Sequence, residues 1–171
     1  VGTTTEIYLS ETTTWSSDSR VTTSADFIWV ANPGISAATD PATEYGISQI
    51  SIADESLTFM PMDEEVSSLT FVDAWKKLFV GSSSRLLTYT YENKEVATQE
   101  HEWIGGVIDT APLDMSFDKV NNALWIAEKN SIHKMLPSGM IVRYGQRQGS
   151  PNAEITSVEA CGGYVWVGSA V

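Results

Sequence analysis

Residues 123–127, Ala123-Leu124-Trp125-Ile126-Ala127, form a short apolar motif that recurs along the chain. In each copy a central aromatic residue is followed by an aliphatic residue and then by Ala or Gly. The other copies are Phe27-Ile28-Trp29-Val30-Ala31, Lys77-Leu78-Phe79-Val80-Gly81 and Tyr164-Val165-Trp166-Val167-Gly168. The aromatic positions 29, 79, 125 and 166 are spaced by 50, 46 and 41 residues. A repeat of this length organises the whole chain.

Further β-type segments accompany each copy of the motif. A strand precedes it, joined by a short polar turn such as residues 118–122, whose Asp and Asn residues favour hairpins. A third strand follows at 85–90 and 131–135, and a fourth at 95–99 and 140–144. Four short strands per repeat predict an all-β fold made of four-stranded blades, which is a β-propeller.

The central aromatic and the small residue of the motif each have a physical role in such a fold. We expect the aromatic side chain to fill the wedge between adjacent blades. Gly or Ala at the end of the motif lets a neighbouring strand approach closely. We therefore interpret the tryptophans of the motif as core residues and not as platforms for ligand stacking.

The last repeat carries the most specific pattern. Residues 149–158 read Gly-Ser-Pro-Asn-Ala-Glu-Ile-Thr-Ser-Val, and Gly162-Gly163-Tyr164-Val165-Trp166-Val167-Gly168 follows them. This stretch resembles the propeller repeat of two-component regulators, in which a Gly-Leu-Pro-x-Asn lead-in precedes a Leu-Trp-Ile-Gly strand. The resemblance implies a propeller, a fold that this family uses in sensor ectodomains, secreted proteins and enzyme scaffolds, and it implies little chemistry.

The repeats divide the chain into blades. We expect a half-blade at 1–18, blades near 19–65, 66–110 and 111–153, and a half-blade at 154–171. Residues 1–10 share the register of residues 80–89, so both ends of the chain fall within the same motif. The chain holds about four blades' worth of sequence, and most propellers have more blades than that. We therefore expect part of a larger propeller, and a closed four-blade ring is the alternative.

Charge and composition exclude several functions. Ten Lys and Arg against 22 Asp and Glu give a net charge of −12, which disfavours nucleic acid and anionic membranes as partners. No apolar run approaches the roughly 18 residues of a membrane span, so no direct membrane insertion is expected. The single cysteine, Cys161, excludes a disulfide framework and a multi-cysteine zinc site. The acidity is uneven, because residues 1–65 hold 11 acids and one base.

No catalytic pattern is present in the sequence. The only histidines are His101 and His133, and the chain has no Gly-x-Ser-x-Gly elbow, phosphate loop or dinucleotide fingerprint. His133 falls within a predicted strand, as a surface or blade-packing residue. We therefore predict no catalytic residues, no resident metal and no cofactor, and two options stay open: Ca²⁺ at the acidic triplet 63–65 and a cation at Glu100-His101-Glu102.

A binding face follows from the predicted topology. Connections from the outer strand of one blade to the inner strand of the next gather on one face, at residues 60–66, 101–112 and 145–154. The partner-binding residues that we predict on this face are Asp63, Glu64, Glu65, His101, Trp103 and Arg147. Trp103, next to two glycines, is the expected exposed anchor.

Together these observations favour a non-catalytic propeller that binds a protein partner, or that serves as a structural or assembly module through contacts with neighbouring blades or subunits. Two alternatives stay open. One is a ligand-binding or enzymatic propeller of the lyase or hydrolase type, with its site in the central channel. The other is a sensor ectodomain. We expect an extracellular or cell-surface location, with the cytoplasm as the alternative.

Overall fold

A computed structural model describes residues 21–32, 45–83, 85–92, 95–104 and 110–170, with the backbone alone at 32, 92 and 95–104. Within these residues the chain forms antiparallel β-strands grouped in four sheets. This confirms the predicted all-β fold. The predicted half-blade at 1–18 lies outside the described residues.

Three of the sheets have four strands, which follow one another in chain order across the sheet. The first contains β1 Val21–Thr23, β2 Phe27–Asn32, β3 Tyr45–Ser51 and β4 Leu57–Met62. The second contains β5 Val66–Val72, β6 Lys77–Ser82, β7 Arg85–Glu92 and β8 Glu95–Ile104. The third contains β9 Asp114–Asp118, β10 Ala123–Glu128, β11 Ser131–Met135 and β12 Ile141–Tyr144. The described part of the fourth contains β13 Ile155–Cys161 and β14 Tyr164–Ser169.

The recurring motif forms the second strand of every sheet, and it keeps one register throughout. Its central aromatic residues lie opposite equivalent positions of the first strand, in the pairs Trp29–Thr22, Phe79–Thr70, Trp125–Ser116 and Trp166–Glu159. The repeat seen in the sequence is therefore a repeat of strand pairing.

Tight turns join the first and second strands, as the Asp, Asn and Gly residues there predict. Between β9 and β10, Asp118 accepts hydrogen bonds from the N–H groups of Val120 and Asn121, both at 3.0 Å, and from the Asn121 amide at 2.7 Å. Burial raises the pKa of Asp118, but these hydrogen bonds outweigh it and hold the pKa below its usual value. Between β13 and β14, Gly162 and Gly163 have φ values of 61° and 82°, which glycine adopts without strain.

Apolar cores fill the spaces between successive sheets. Between the first two sheets, the ring of Trp29 lies 4.8 Å from that of Phe71, and Tyr91 meets both edge-on. A second core, around Phe79 and Leu124, joins the second sheet to the third. A third core, around Ile155, joins the third sheet to the fourth.

The predicted core role of the central aromatics is confirmed for two of the four copies. Trp29 and Phe79 are buried, with exposed fractions of 0% and 1%. Trp125 is partly buried. For Trp166 the prediction is wrong, because its side chain is 66% exposed. Within the described residues its sheet has two strands, and no further sheet covers this ring.

The small residue at the end of the motif lies where two sheets approach each other. A Cβ atom added to Gly81 would lie 2.8 Å from Pro112 Cβ and 2.9 Å from the Pro112 carbonyl oxygen, and it would also overlap the Ser68 hydroxyl. These are closer than carbon atoms tolerate without displacement of the backbone. The equivalent residues Ala31 and Ala127 are buried. The close approach predicted from the sequence is therefore present.

Side-chain hydroxyls join the first strands of successive sheets. Thr22 Oγ1 accepts a hydrogen bond from the Phe71 N–H at 3.0 Å, and Thr70 Oγ1 donates to the Met115 carbonyl at 2.9 Å. Ser116 Oγ accepts from the N–H of Ala160 at 3.0 Å. The three hydroxyls occupy the position opposite the central aromatic of their own sheet, so one hydrogen-bonding device is repeated between neighbouring sheets.

Candidate functional site

One side of the sheets carries both the outer-to-inner connections and the turns between second and third strands. Both kinds of loop fall on this side because the strands are antiparallel and follow one another from the first to the fourth. We call this side the connection face, and its described residues are 63–65, 83, 110–113, 129–130 and 145–154. It is the face on which the sequence predicts partner binding.

An arginine holds two of the three predicted acidic residues. Arg85, at the start of β7, places Nη2 2.6 Å from Glu64 Oε1 and 3.0 Å from Asp63 Oδ1. Glu64 Oε2 also accepts a hydrogen bond from Ser82 Oγ at 3.3 Å. Glu65 is exposed. The guanidinium group of Arg85 lies between the carboxylates of Asp63 and Glu64, where a cation would bind. Ca²⁺ binding at the triplet stays a prediction.

A buried ionisable cluster lies beneath the same face in the third sheet. His133 Nε2 is 3.0 Å from Glu128 Oε2 and 3.0 Å from Ser131 Oγ, while the Ser131 hydroxyl donates to Glu128 at 2.9 Å. The Thr110 N–H donates to the second carboxylate oxygen of Glu128 at 3.3 Å. Burial raises the pKa of Glu128, but hydrogen bonds from His133, Thr110 and Ser131 outweigh it and leave the pKa below its usual value.

The geometry of this cluster differs from that of a serine triad. In a triad the acid hydrogen-bonds to Nδ1 of the histidine and the serine to Nε2. Here Glu128 and Ser131 both contact Nε2 of His133, and Nδ1 is buried without a hydrogen-bond partner among the described residues. The side chains of His133 and Glu128 are 0% and 1% exposed. The cluster therefore fastens the connection at Thr110 to β10 and offers no surface to a substrate.

The second sheet has a related hydrogen bond, but there the connection supplies the carboxylate and the second strand supplies the donor. There the acid is Glu64 of the connection, and the hydroxyl is Ser82 at the end of β6. In the third sheet the acid is Glu128 at the end of β10, and the connection supplies an N–H group. Both sheets thus tie the incoming connection to the end of the second strand with a carboxylate hydrogen bond.

A cleft opens on the connection face beside the third sheet. Its volume is about 460 Å³, and it is lined by Asn130, Arg143, Gly145, Gln146, Arg147 and Gln148. The turn that bounds it is the 3₁₀ helix Gln146–Gln148, which ends at Gly149 with φ of 94°. Arg147, one of the predicted partner-binding residues, is exposed, and it makes no ion pair with any residue that the structure describes.

An apolar groove adjoins this cleft and shares Gln148 with it. Its volume is about 310 Å³, and its walls include Trp125, Tyr144, Pro151 and Trp166. The rings of Trp125 and Tyr144 lie 5.5 Å apart, and the ammonium group of Lys134 stands 5.5 Å from the centre of the Trp125 ring. The groove separates the outer strands of the third sheet from β14.

The remaining predicted binding residues lie in a strand. His101 and Trp103 belong to β8, where their backbones pair with Thr88 and Leu86. The sequence prediction placed Trp103 in a connection, but the strand continues through it to Ile104. The side chains of both residues lie outside the described part of the chain, and their roles stay predictions.

Arg85, Arg143 and the Glu128–His133 cluster were not predicted as site residues. The sequence does carry a signal for the cluster, because ionisable residues interrupt the apolar pattern of β10 and β11 on both sides of a two-residue turn. Their burial depends on the packing of the second sheet against the third, which no local pattern encodes. Across the described residues, no group of three or more His, Cys, Asp or Glu residues is arranged to hold a metal ion.

The arrangement of successive four-stranded antiparallel sheets, joined from the outer strand of one to the inner strand of the next, defines a β-propeller. No protein-family model matches the chain, and no curated protein matches it. Solved structures do match, and they support this fold class at low sequence identity.

The chain is similar to a streptogramin B lyase, with a TM-score of 0.65 and 18% identity over 87% of this chain and 47% of that one. It is similar to the extracellular domain of a hybrid two-component system from B. thetaiotaomicron, with a TM-score of 0.65 and 15% identity over 94% of this chain and 21% of that one. It is also similar to the β-propeller domain of Cps50 (Swd1) from Myceliophteria thermophila, with a TM-score of 0.62 and 12% identity over 88% and 47%. The chain thus spans less than half the length of each. These likenesses show the fold alone.

The described residues contain no helix with the length and apolar character needed to cross a membrane.

Proposed function

We propose that this chain is a non-catalytic propeller module that binds a protein partner through its connection face. The observation that supports this most directly is the cleft on that face, where the exposed Arg147 stands beside the amide side chains of Gln146 and Gln148. The buried Glu128–His133 cluster, by contrast, makes its hydrogen bonds to other groups of the fold. The exposed carboxylates of Asp63 and Glu65, together with His101 and Trp103, would extend the contact along the same face.

Site-specific photo-crosslinking tests this proposal. A photoreactive residue would replace Gln146 on the connection face in one protein and Asn121 on the opposite face in another, each expressed in the organism of origin. We expect crosslinked protein partners from position 146 and not from position 121. Arg147→Glu should abolish the crosslink, and Lys119→Glu, the same charge change on the opposite face, should preserve it. Equal crosslinking from both faces, or none from position 146, would contradict the proposal.

A second candidate is an enzymatic or ligand-binding propeller with a site in the central channel, and the similarity to a structure named as a lyase favours it. Two carboxylates on first strands bear on this candidate. Asp114 accepts a hydrogen bond from the Val158 N–H at 3.0 Å, and Glu159 accepts one from Ser116 at 3.2 Å. Both thus serve contacts between neighbouring sheets. A thermal shift on addition of a divalent metal, reversed by chelator, would favour this second candidate.

A sensor ectodomain is the third candidate, and an extracellular or cell-surface location is part of the proposal. The similarity to an extracellular domain of a two-component system supports it. Fractionation of source cells, with detection of the whole protein, would test the location. Recovery with cytoplasmic markers would overturn the proposed location and leave protein binding to be judged by the crosslinking.

A further inference from the structure

Hydroxyls of the second sheet hold one side of the connection at residues 110–113. The Ser67 and Ser68 hydroxyls donate to the Pro112 carbonyl at 2.7 Å and 2.6 Å. Hydroxyl and carbonyl groups keep the same protonation between neutral pH and about pH 3. This attachment therefore does not depend on acid.

The third sheet holds the other side of the same connection. The Leu113 N–H donates to the Ala127 carbonyl at 2.8 Å, and the Thr110 N–H donates to Glu128 Oε1 at 3.3 Å. Of these acceptors, the Glu128 carboxylate is the one that can take up a proton. The attachment of Thr110 therefore varies with the charge of one buried side chain, and the attachments of Pro112 and Leu113 do not.

Two further donors contact the Glu128 carboxylate. Ser131 Oγ lies 2.9 Å and His133 Nε2 lies 3.0 Å from Oε2. Because the Ser131 hydroxyl donates to Glu128, the ring proton of His133 is assigned to Nε2. Nδ1 of His133 is buried without a hydrogen-bond partner among the described residues, so a proton moved there would be a buried donor without an acceptor. A proton added to Glu128 therefore meets three groups that already donate to it.

The contact with Thr110 is the first that such a proton breaks. At 3.3 Å it is longer than the contacts of 2.9 Å and 3.0 Å on Oε2, and it is the weakest of the three. A proton on Oε1 turns this oxygen from an acceptor into a donor that faces the Thr110 N–H. Protonation of Glu128 thus separates Thr110 from β10, while Leu113 keeps its hydrogen bond to a backbone carbonyl.

Several charged groups surround Glu128 at this end of the third sheet. The described ones are Lys129 in the same turn, His133 on β11, Arg143 on β12 and Asp114 on β9. Lys129 pairs with Glu154, and Asp114 accepts a hydrogen bond from the Val158 N–H of the fourth sheet. The described side chains that the second sheet packs against this side of the third are apolar, and they include Val72, Phe79 and Leu86.

The balance of these surroundings keeps Glu128 ionised at neutral pH. Burial raises its pKa, but the hydrogen bonds from His133, Thr110 and Ser131 outweigh burial and hold the pKa below 4.5. The charged form is therefore fully present above pH 4.5, and it is lost as the pH falls through the pKa of the folded protein. Any effect of its protonation appears in acid.

Glu128 also lies next to the cleft on the connection face. Asn130, two residues further along the same turn, lines the cleft. Arg143, which lines it from β12, is paired in the backbone register with His133. The side chain that holds Thr110 is thus part of the turn and of the strand pairing that shape the cleft.

We propose that Glu128 is an acid-sensitive switch that holds the connection face in its binding form at neutral pH and releases Thr110 in acid. Partner binding at the cleft is therefore strong at neutral pH and weakened in acid. The proposal rests on the proposed protein-binding function and adds its regulation. The release is local, because the attachments of Pro112 and Leu113 contain no group that titrates.

Amide hydrogen exchange, followed by NMR on the whole chain, tests the switch. In the parent, we expect the protection factor of the Thr110 amide to fall by about tenfold or more between neutral pH and about pH 3.5. The Leu113 amide is the internal reference and should keep its protection. Glu128→Gln, which cannot ionise, should show low protection of Thr110 at both pH values. Glu154→Gln, which removes an exposed carboxylate of the next connection, should behave as the parent does.

Three results would overturn the switch. The first is a Thr110 amide that stays protected in acid, and the second is a Leu113 amide that loses protection in step with it, which would mean general unfolding. The third is a Glu128→Gln variant with the pH dependence of the parent. Circular dichroism at each pH shows that the proteins compared are folded.

Crosslinking from position 146 in extracts of source cells, at neutral pH and at about pH 3.5, tests the regulation of binding. We expect the yield to fall by about threefold or more in acid, and Glu128→Gln to give the lower yield at both pH values. A yield that acid leaves unchanged would overturn the regulation. Absence of the crosslink at neutral pH would overturn the proposed function instead, and hydrogen exchange would still decide whether the switch exists.

Discussion

His133 Nε2 lies 3.0 Å from Glu128 Oε2, and the two side chains are 0% and 1% exposed. The second sheet has Leu87 and Ser82 at the equivalent positions, because both pairs occupy the same places relative to the recurring motif. The third sheet therefore holds an ionisable pair where its neighbour holds an apolar residue and a hydroxyl. Such a pair is stable only while both partners are present, since either alone is a buried and poorly compensated group.

The first prediction concerns the coupling of this pair. His133→Leu should lower the free energy of unfolding by about 1–3 kcal/mol, because Glu128 stays buried with one donor fewer. Glu128→Ser should also destabilise. The double variant, which copies the second sheet, should lose less stability than the two single variants lose in sum, and the difference should be about 0.5–3 kcal/mol. Urea unfolding of the four proteins measures this coupling, and additive losses would refute it.

The second prediction concerns acid. Hydrogen bonds hold the pKa of Glu128 below its ordinary value of 4.5, so the carboxylate's contribution to stability is fully present above pH 4.5. That contribution is lost as the pH falls through the pKa of the folded protein. We expect the stability difference between the parent and Glu128→Gln to shrink on going from neutral pH to about pH 3. Urea midpoints across this range test it, and a constant difference would argue against the assignment.

The third prediction concerns Tyr91, whose hydroxyl donates to Asp26 Oδ2 at 3.1 Å. Burial first, and then the hydrogen bond and the charge of Asp26, raise the pKa of Tyr91 to about 12. A raised pKa means that the protonated phenol stabilises the fold below pH 10, and that this stabilisation is lost as the pH rises towards 12.

Tyr91→Phe should therefore cost about 1–2 kcal/mol at neutral pH and flatten the alkaline loss of stability. Difference absorbance spectra during alkaline titration would show the missing late-ionising phenol. Tyr164→Phe is the matched control, since the Tyr164 ring is 72% exposed and its change should cost less than about 0.5 kcal/mol. A comparable loss in both variants would contradict the role given to Asp26.

The fourth prediction concerns the close approach at Gly81. Gly81→Ala should destabilise by about 1–3 kcal/mol, because the added Cβ would overlap Pro112 of the following connection and the Ser68 hydroxyl of its own sheet. Gly145→Ala is the control, since the nearest atom to its Cβ would be Gln148 Oε1 at an ordinary 3.6 Å. Thermal unfolding of the two variants compares them, and equal melting temperatures would count against the packing argument.

The strands were predictable because an aromatic residue recurs at the same position of each repeat. The aromatic at positions 29, 79, 125 and 166 marks the second strand, and the polar turn before it marks the hairpin. Contacts between sheets were less accessible. Arg85 could be read as the start of a strand, but its pairing with Asp63 and Glu64 depends on two segments that meet only after the sheets pack. The exposure of Trp166 likewise depends on which neighbour covers it.

The hydroxyl contacts between first strands have a consequence for how such a chain can grow. Two adjacent residues of β5 contact opposite neighbours: the Thr70 hydroxyl donates forward to the Met115 carbonyl, and the Phe71 N–H donates back to the hydroxyl of Thr22. Each first strand therefore contacts the strand before it and the strand after it through different groups. Such a contact is heterologous and does not by itself limit the number of repeats. A duplicated repeat would present matching hydrogen-bonding groups to the repeats on both sides of it. The angle between blades, and not the hydrogen bonds, would then decide the number at which a ring closes.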